Sequence, residues 1–182
     1  MTPPRAQRAT TLVAGVGNIF LGDDGFGVET VRRLASGPLP GHVEAVDIGV
    51  RGVHLAYQLL DGYDTLILVD ATRRGGDPGT LYLIEPGRPG RTEPQEPLLD
   101  GHRMTPDAVL TLLETLCAGT GCVPPRRTLV VGCEPDRVDE GIGLSGPVAA
   151  AVPEAVNMVL RLVQDDEPTA PTEPSAARPA MN

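Results

Sequence analysis

Lysine is absent from all 182 residues, and no cluster of arginine takes its place. Fifteen basic side chains stand against 24 acidic ones, a net charge of −9 at pH 7. That balance excludes the basic footprint of a nucleic-acid binder or of a protein held on an anionic membrane. The last 18 residues account for −3 of it and leave −6 for the rest. Long hydrophobic runs are also missing: nothing approaches the roughly 18 continuous apolar residues of a membrane span. The opening MTPPRAQRAT carries two arginines but no apolar segment behind them, so a secretory signal is not expected and the cytoplasm is the expected compartment. Cysteine is scarce. Cys117, Cys122 and Cys133 form no metal-ligand spacing, and an odd count does not suit a disulfide framework, so reduced and partly buried thiols are expected. There is no internal repeat, and nothing in the pattern demands a dimer, so a monomer is expected.

What is there suffices for one domain. Forty-one per cent apolar and 21% charged residues supply one core, and the length suits one α/β domain better than two. Residues 1–9 and 165–182 read as flexible ends, the latter an acidic tail rich in Pro and Ala with little to bury. The domain proper is expected over 10–164.

Five segments read as strands. Residues 11–16, 65–69 and 128–132 are short, nearly continuous apolar runs, the pattern of parallel strands buried on both faces. Residues 43–48 are a weaker case. Residues 80–84 follow the third strand after only a turn-rich Arg73–Gly79 connection, too short for a crossover helix, so that strand is expected to run antiparallel. Between them lie helical periods. Val28, Val31 and Ala35 share one face; Val53, Ala56, Tyr57 and Leu60 share another; Val109, Leu112, Leu113 and Leu116 a third. Thr105 as cap, Pro106 at the first helical position and Asp107 in the first turn announce that third helix. A last helix begins near Ser145 and carries Val148, Val152, Val156, Val159 and Val163, with Pro153 expected to kink or restart it. The order β-α-β-α-β-β-α-β-α predicts a three-layer α/β/α sandwich around a mostly parallel, mixed five-stranded sheet.

In such sheets ligands collect beyond the carboxyl ends of the strands. The first strand is followed by Gly15-Val16-Gly17-Asn18 and then Gly22-Asp23-Asp24-Gly25-Phe26-Gly27, the third by Asp70, and the loop before the third helix holds His102. Gly15-x-Gly17 fits part of a dinucleotide-binding loop, but position 20 is Phe20 rather than glycine, and Asp23 and Asp24 would repel a phosphate there. Each of these acids also has a plain structural reading, as a cap at a helix start. Asp70 would equally serve the turn that follows it, and His102 would equally face solvent. His42 and His54 are read as structural. Taken together, two carboxylates and an imidazole make a set that suits a divalent first-row metal. In the sequence Ser36 and Ser145 have no histidine or acid placed beside them, and Cys117 and Cys133 fall in a helix and at a strand end, so covalent catalysis is not expected.

These residues, in this order and spacing, resemble the hydrogenase maturation endopeptidases. The resemblance rests on Gly15-x-Gly17-Asn18, Gly22-Asp23-Asp24-Gly25-x-Gly27, Asp47-Ile48-Gly49-Val50-Arg51-Gly52, Asp64 with Asp70-Ala71, and His102, and it spans 10–164. It implies removal of a short C-terminal extension from the nickel-loaded large-subunit precursor of a nickel–iron hydrogenase. It also implies that the nickel arrives on the substrate and is recognised by Asp24, Asp70 and His102, which are thereby the catalytic and metal-contacting set. Relatives carry Asp or Glu at the first of these positions, and Asp24 is one methylene shorter than Glu. Asn18, Asp47, Gly49 and Arg51 are the implied substrate contacts, although the 47–52 loop differs from the Asp-Gly-Gly-Thr of some relatives. On neighbouring parallel strands the two acids would stand about 5 Å apart. Three donors leave coordination positions open for a metal that remains bound to its substrate. Two other functions stay open at this point: a nickel-sensing chaperone without catalysis, and a nucleotide-binding α/β protein.

Overall fold

Consecutive side chains of a strand point to opposite faces, and this sheet fills both of them. The computed structural model describes residues 10–86 and 106–165. Its elements run β1 (Thr11–Val16), α1 (Phe26–Ala35), β2 (Val43–Gly49), α2 (Gly52–Leu59), β3 (Thr65–Ala71), β4 (Leu81–Ile84), α3 (Pro106–Thr120), β5 (Arg127–Cys133) and α4 (Gly146–Asp165), with a single 3-10 turn at Gly22–Gly25 leading into α1. The sheet order is β2-β1-β3-β5-β4. The first four of these strands pair in parallel, and β4 closes the edge antiparallel to β5.

Val13, Ile67, Val69, Leu129 and Val131 point into the core shared with α1 and α4. Leu12, Ala14, Leu66, Leu68 and Val130 point into the opposite core, beneath α2 and α3. The helices pair accordingly, α1 against α4 and α2 against α3. This is the expected three-layer sandwich, and β4 runs in the expected sense. By length and composition α4 would cross a membrane, yet Val148, Val152, Ala155, Val159 and Val163 are buried against the sheet and α1.

Four details differ from expectation. On α1, Leu34 rather than Ala35 continues the buried face. On α2 the buried stripe is Leu55, Ala56 and Leu59, while Val53 and Tyr57 are 50% and 57% exposed. That helix is apolar around most of its circumference, so spacing alone fits more than one phase. Helix α4 runs through Pro153 without a restart. Pro153 and Ala149 are both exposed, so the carbonyl left without an N–H partner faces water. Finally, Cys117 and Cys122 form a disulfide rather than two thiols. The Gly121 N–H donates to the Cys117 carbonyl (2.8 Å), and Gly121, at φ +72°, turns the chain back at the end of α3 so that the two Cα atoms stand 4.6 Å apart. The Thr105 cap lies outside the described residues, as do the segments 1–9 and 166–182.

Candidate active site

The order β2-β1-β3 places the switch point of the sheet between β1 and β3, where one crossover leaves to each side and a crevice opens at the carboxyl ends. Both predicted acids stand there. Val69 pairs with Gly15 as the last β1–β3 partners, and Asp70 is the next residue along β3, opposite Gly132 of β5. Asp24 lies in the 3-10 turn beyond β1, which packs against β3. Glycine makes that approach feasible. A Cβ on Gly27 would collide with the carbonyl oxygens of Val69 and Val16, so only glycine lets the start of α1 sit on the ends of both strands. Gly17 is held at φ +129° with the Asp24 backbone against it. Asp24 and Asp70 are both partly exposed.

The loop spends its amides on itself. The Gly17 N–H donates to the Gly49 carbonyl (3.0 Å) and the Leu21 N–H to the Asn18 carbonyl (3.0 Å). The Asn18 N–H donates to Asp24 Oδ2 (2.8 Å), and the Phe20 N–H to Asn18 Oδ1 (3.0 Å). A phosphate-binding loop needs such N–H groups pointing at its ligand; here four of them are taken, one by a carboxylate. That geometry disfavours the nucleotide reading. Asn18 acts in this structure as a loop staple.

The neighbouring acid does a different job. Asp23 is fully buried and caps no helix. Its Oδ2 accepts from the backbone N–H groups of Asp136 (2.9 Å) and Arg137 (3.0 Å) and from Ser145 Oγ (2.8 Å), while Oδ1 accepts from the Ser145 N–H (2.6 Å). Burial pushes this carboxyl upward, but the hydrogen bonds from Arg137, Ser145 and Asp136 together outweigh it and hold it below its ordinary value. Glu134, at the end of β5, plays the matching part on the other side. It accepts from the Arg74 N–H (2.7 Å), the Gly76 N–H (3.3 Å) and the Tyr82 hydroxyl (2.9 Å), with the Arg74 bond the main reason that it too lies below the usual range. The turn after β3 is therefore served by Glu134. Sequence reading assigned Asp23 no more than a cap and overlooked Glu134. Their partners lie 52 to 122 residues away, beyond the reach of any local pattern.

Of the remaining predicted residues, Asp47 is ion-paired with Arg32 of α1 (2.9 Å). Gly49, at φ +58°, lies beside the Gly17 carbonyl, and Arg51 is exposed just before α2. His102 lies outside the described residues; among those described, no group of three His, Cys, Asp or Glu is arranged to hold a metal ion. His42 is structural, its Nε2 3.2 Å from the Val163 carbonyl. The Cys133 thiol is buried, and burial, with Asp23 and Glu134 nearby, pushes it up to about 12. It is a neutral thiol, which removes it as a nucleophile.

The chain is similar in sequence and in fold to known proteins. Residues 28–162 match the family model HycI, described as hydrogenase maturation protease. The chain is 33% identical over 166 residues to the hydrogenase expression/formation protein HupD of Rhizobium leguminosarum bv. viciae, covering 89% of this chain and 77% of that protein. It is 33% identical over 158 residues to the hydrogenase 2 maturation protease of Escherichia coli K12, covering 85% and 90%. Among solved structures, the hydrogenase maturating endopeptidase HybD from E. coli aligns with a TM-score of 0.67 at 29% identity, covering 86% of this chain and 93% of that one.

Proposed function

Because the chain belongs to the hydrogenase maturation protease family and is an endopeptidase, we propose that it removes a short C-terminal extension from the nickel-loaded large-subunit precursor of a nickel–iron hydrogenase. The observation that carries this reading is the pair Asp24 and Asp70, partly exposed and set on either side of the switch point between β1 and β3. Oxygen ligands from two carboxylates, joined by an imidazole from His102, suit a borderline divalent ion such as nickel. In this reading the nickel belongs to the substrate and is held by the precursor's own cysteines. The protein adds contacts that form only when the ion is present, so cleavage waits for loading.

The chemistry is hydrolysis. Docking of the ion against Asp24, Asp70 and His102 fixes the scissile carbonyl nearby and turns a bimolecular encounter into a positioned one. Water attacks the carbonyl carbon, its proton passes to a base, and the leaving amine takes a proton as the C–N bond breaks. The neutral Cys133 supports water rather than a thiolate as the nucleophile. Asn18, Asp47, Gly49 and Arg51 line the approach to the site in this reading. Arg51 is the exposed one, while Asp47 contributes through Arg32. The enzyme acts as a monomer in the cytoplasm on a protein substrate, and its acidic surface disfavours nucleic acid and anionic membranes alike.

Asp24→Ala, Asp70→Ala and His102→Ala test the assignment. Each variant is expected to keep the circular dichroism of the parent and to leave the precursor uncut. Full processing by any two of the three contradicts it.

A further inference from the structure

The chain has two phenylalanines. Phe26 is fully buried in the core, whereas Phe20 is 61% exposed in the loop after β1. Ile142, in the loop after β5, is 79% exposed. Isolated apolar side chains on a surface are ordinary; these two are held together. The Gly141 N–H donates to the Phe20 carbonyl (2.9 Å), and the Gly22 N–H donates to the Gly141 carbonyl (2.9 Å), a parallel bridge between Leu21 and Gly141. Phe20 and Ile142 each lie one residue from the bridged pair, so the bridge keeps the loops that carry them side by side. Beneath the ribbon the four hydrogen bonds to buried Asp23 fix both ends of the 136–145 loop. Two apolar side chains in solvent are thus set on loops tied to each other and to buried Asp23, with exposed Asp139 and Glu140 beside them.

We propose that this ribbon is the docking ridge for the large-subunit precursor, Phe20 and Ile142 seating an apolar strip and Asp139 and Glu140 engaging basic residues that flank it. This rests on the proteolytic reading above and deepens it. The occupant follows from continuity and charge. Phe20 stands four residues before Asp24 on the same loop, so a chain presented to Asp24 and Asp70 passes this rim. A second copy, carrying the same −9 and the same acidic pair, is a poor match for it.

The test compares the wild type with the double variant Phe20→Ser/Ile142→Ser. Both positions are exposed, so melting temperature and circular dichroism are expected to match the wild type. On nickel-loaded precursor KM is expected to rise about tenfold or more, with kcat within about twofold, the signature of lost docking rather than lost chemistry. Affinity for the precursor, measured by biolayer interferometry, is expected to fall by the same factor. Equal affinity and equal KM overturn the ridge and leave the proteolytic reading standing. A wild type that binds precursor without shortening it, while the double variant binds more weakly, overturns the proteolytic reading and leaves the ridge. A wild-type dimer in sedimentation that the double variant dissolves assigns the patch to a second copy and overturns the proposal.

Discussion

Asp23 and Asp24 are neighbours with opposite surroundings. Asp24 is partly exposed at the edge of the sheet, whereas Asp23 is sealed beneath a distant loop and accepts four hydrogen bonds. The sign of its pH dependence follows. Its folded pKa lies below the unfolded one, so its contribution is complete above the unfolded carboxylate value, about 4. It disappears as pH falls through the folded value. Asp23→Asn, which turns a charged acceptor into an amide facing donors, is expected to cost about 2–4 kcal/mol at pH 7. That difference should shrink below about pH 4. Urea denaturation at pH 7 and pH 3 measures it, and an equal loss at both values contradicts the account. Asp24 and Asp70 were legible in the sequence because each follows an apolar strand, where ligands gather. Asp23 was legible only as a generic cap, since every group that it binds arrives from the far side of β5.

At the scale of elements, burial decided what the sequence disclosed. Strands β1, β3 and β5 are continuous apolar runs because both faces are covered, and their bounds differ from expectation by at most two residues. Helix α2 misled because it carries apolar side chains on more than one face, and the packing on the sheet and α3 selects Leu55, Ala56 and Leu59 over Val53 and Tyr57. The end of α3 misled differently. Cysteine counting across the whole chain missed a local turn at Gly121 that returns Cys122 to Cys117. Closing so short a loop removes little unfolded-state entropy, about 2 kcal/mol. Cys122→Ser is therefore expected to lower the melting temperature by several degrees in oxidising buffer. In dithiothreitol it should match the reduced parent, because Val109 and Leu113 keep α3 in the core regardless. A loss that persists in dithiothreitol contradicts the bridge as its cause.

At the scale of the whole molecule, strand order sets where the candidate site stands. Two crossovers leaving in opposite directions open the crevice between β1 and β3. Glycines at 17 and 27 bring the start of α1 onto it, with Asp24 in the turn beyond β1 and Asp70 near the end of β3. The layers and the antiparallel sense of β4 were legible in hydrophobic pattern and loop length. The order of the strands was not, because it depends on which faces the crossover helices cover. The central claim, a peptidase that cuts only what carries nickel, is tested most directly by the intact mass of the cognate large-subunit precursor after incubation with this protein, with and without nickel loading. The account predicts loss of a C-terminal peptide in the loaded sample alone. Equal shortening of both samples contradicts the nickel checkpoint, and an unchanged mass in a stable complex with loaded precursor contradicts proteolysis and makes the site a sensor.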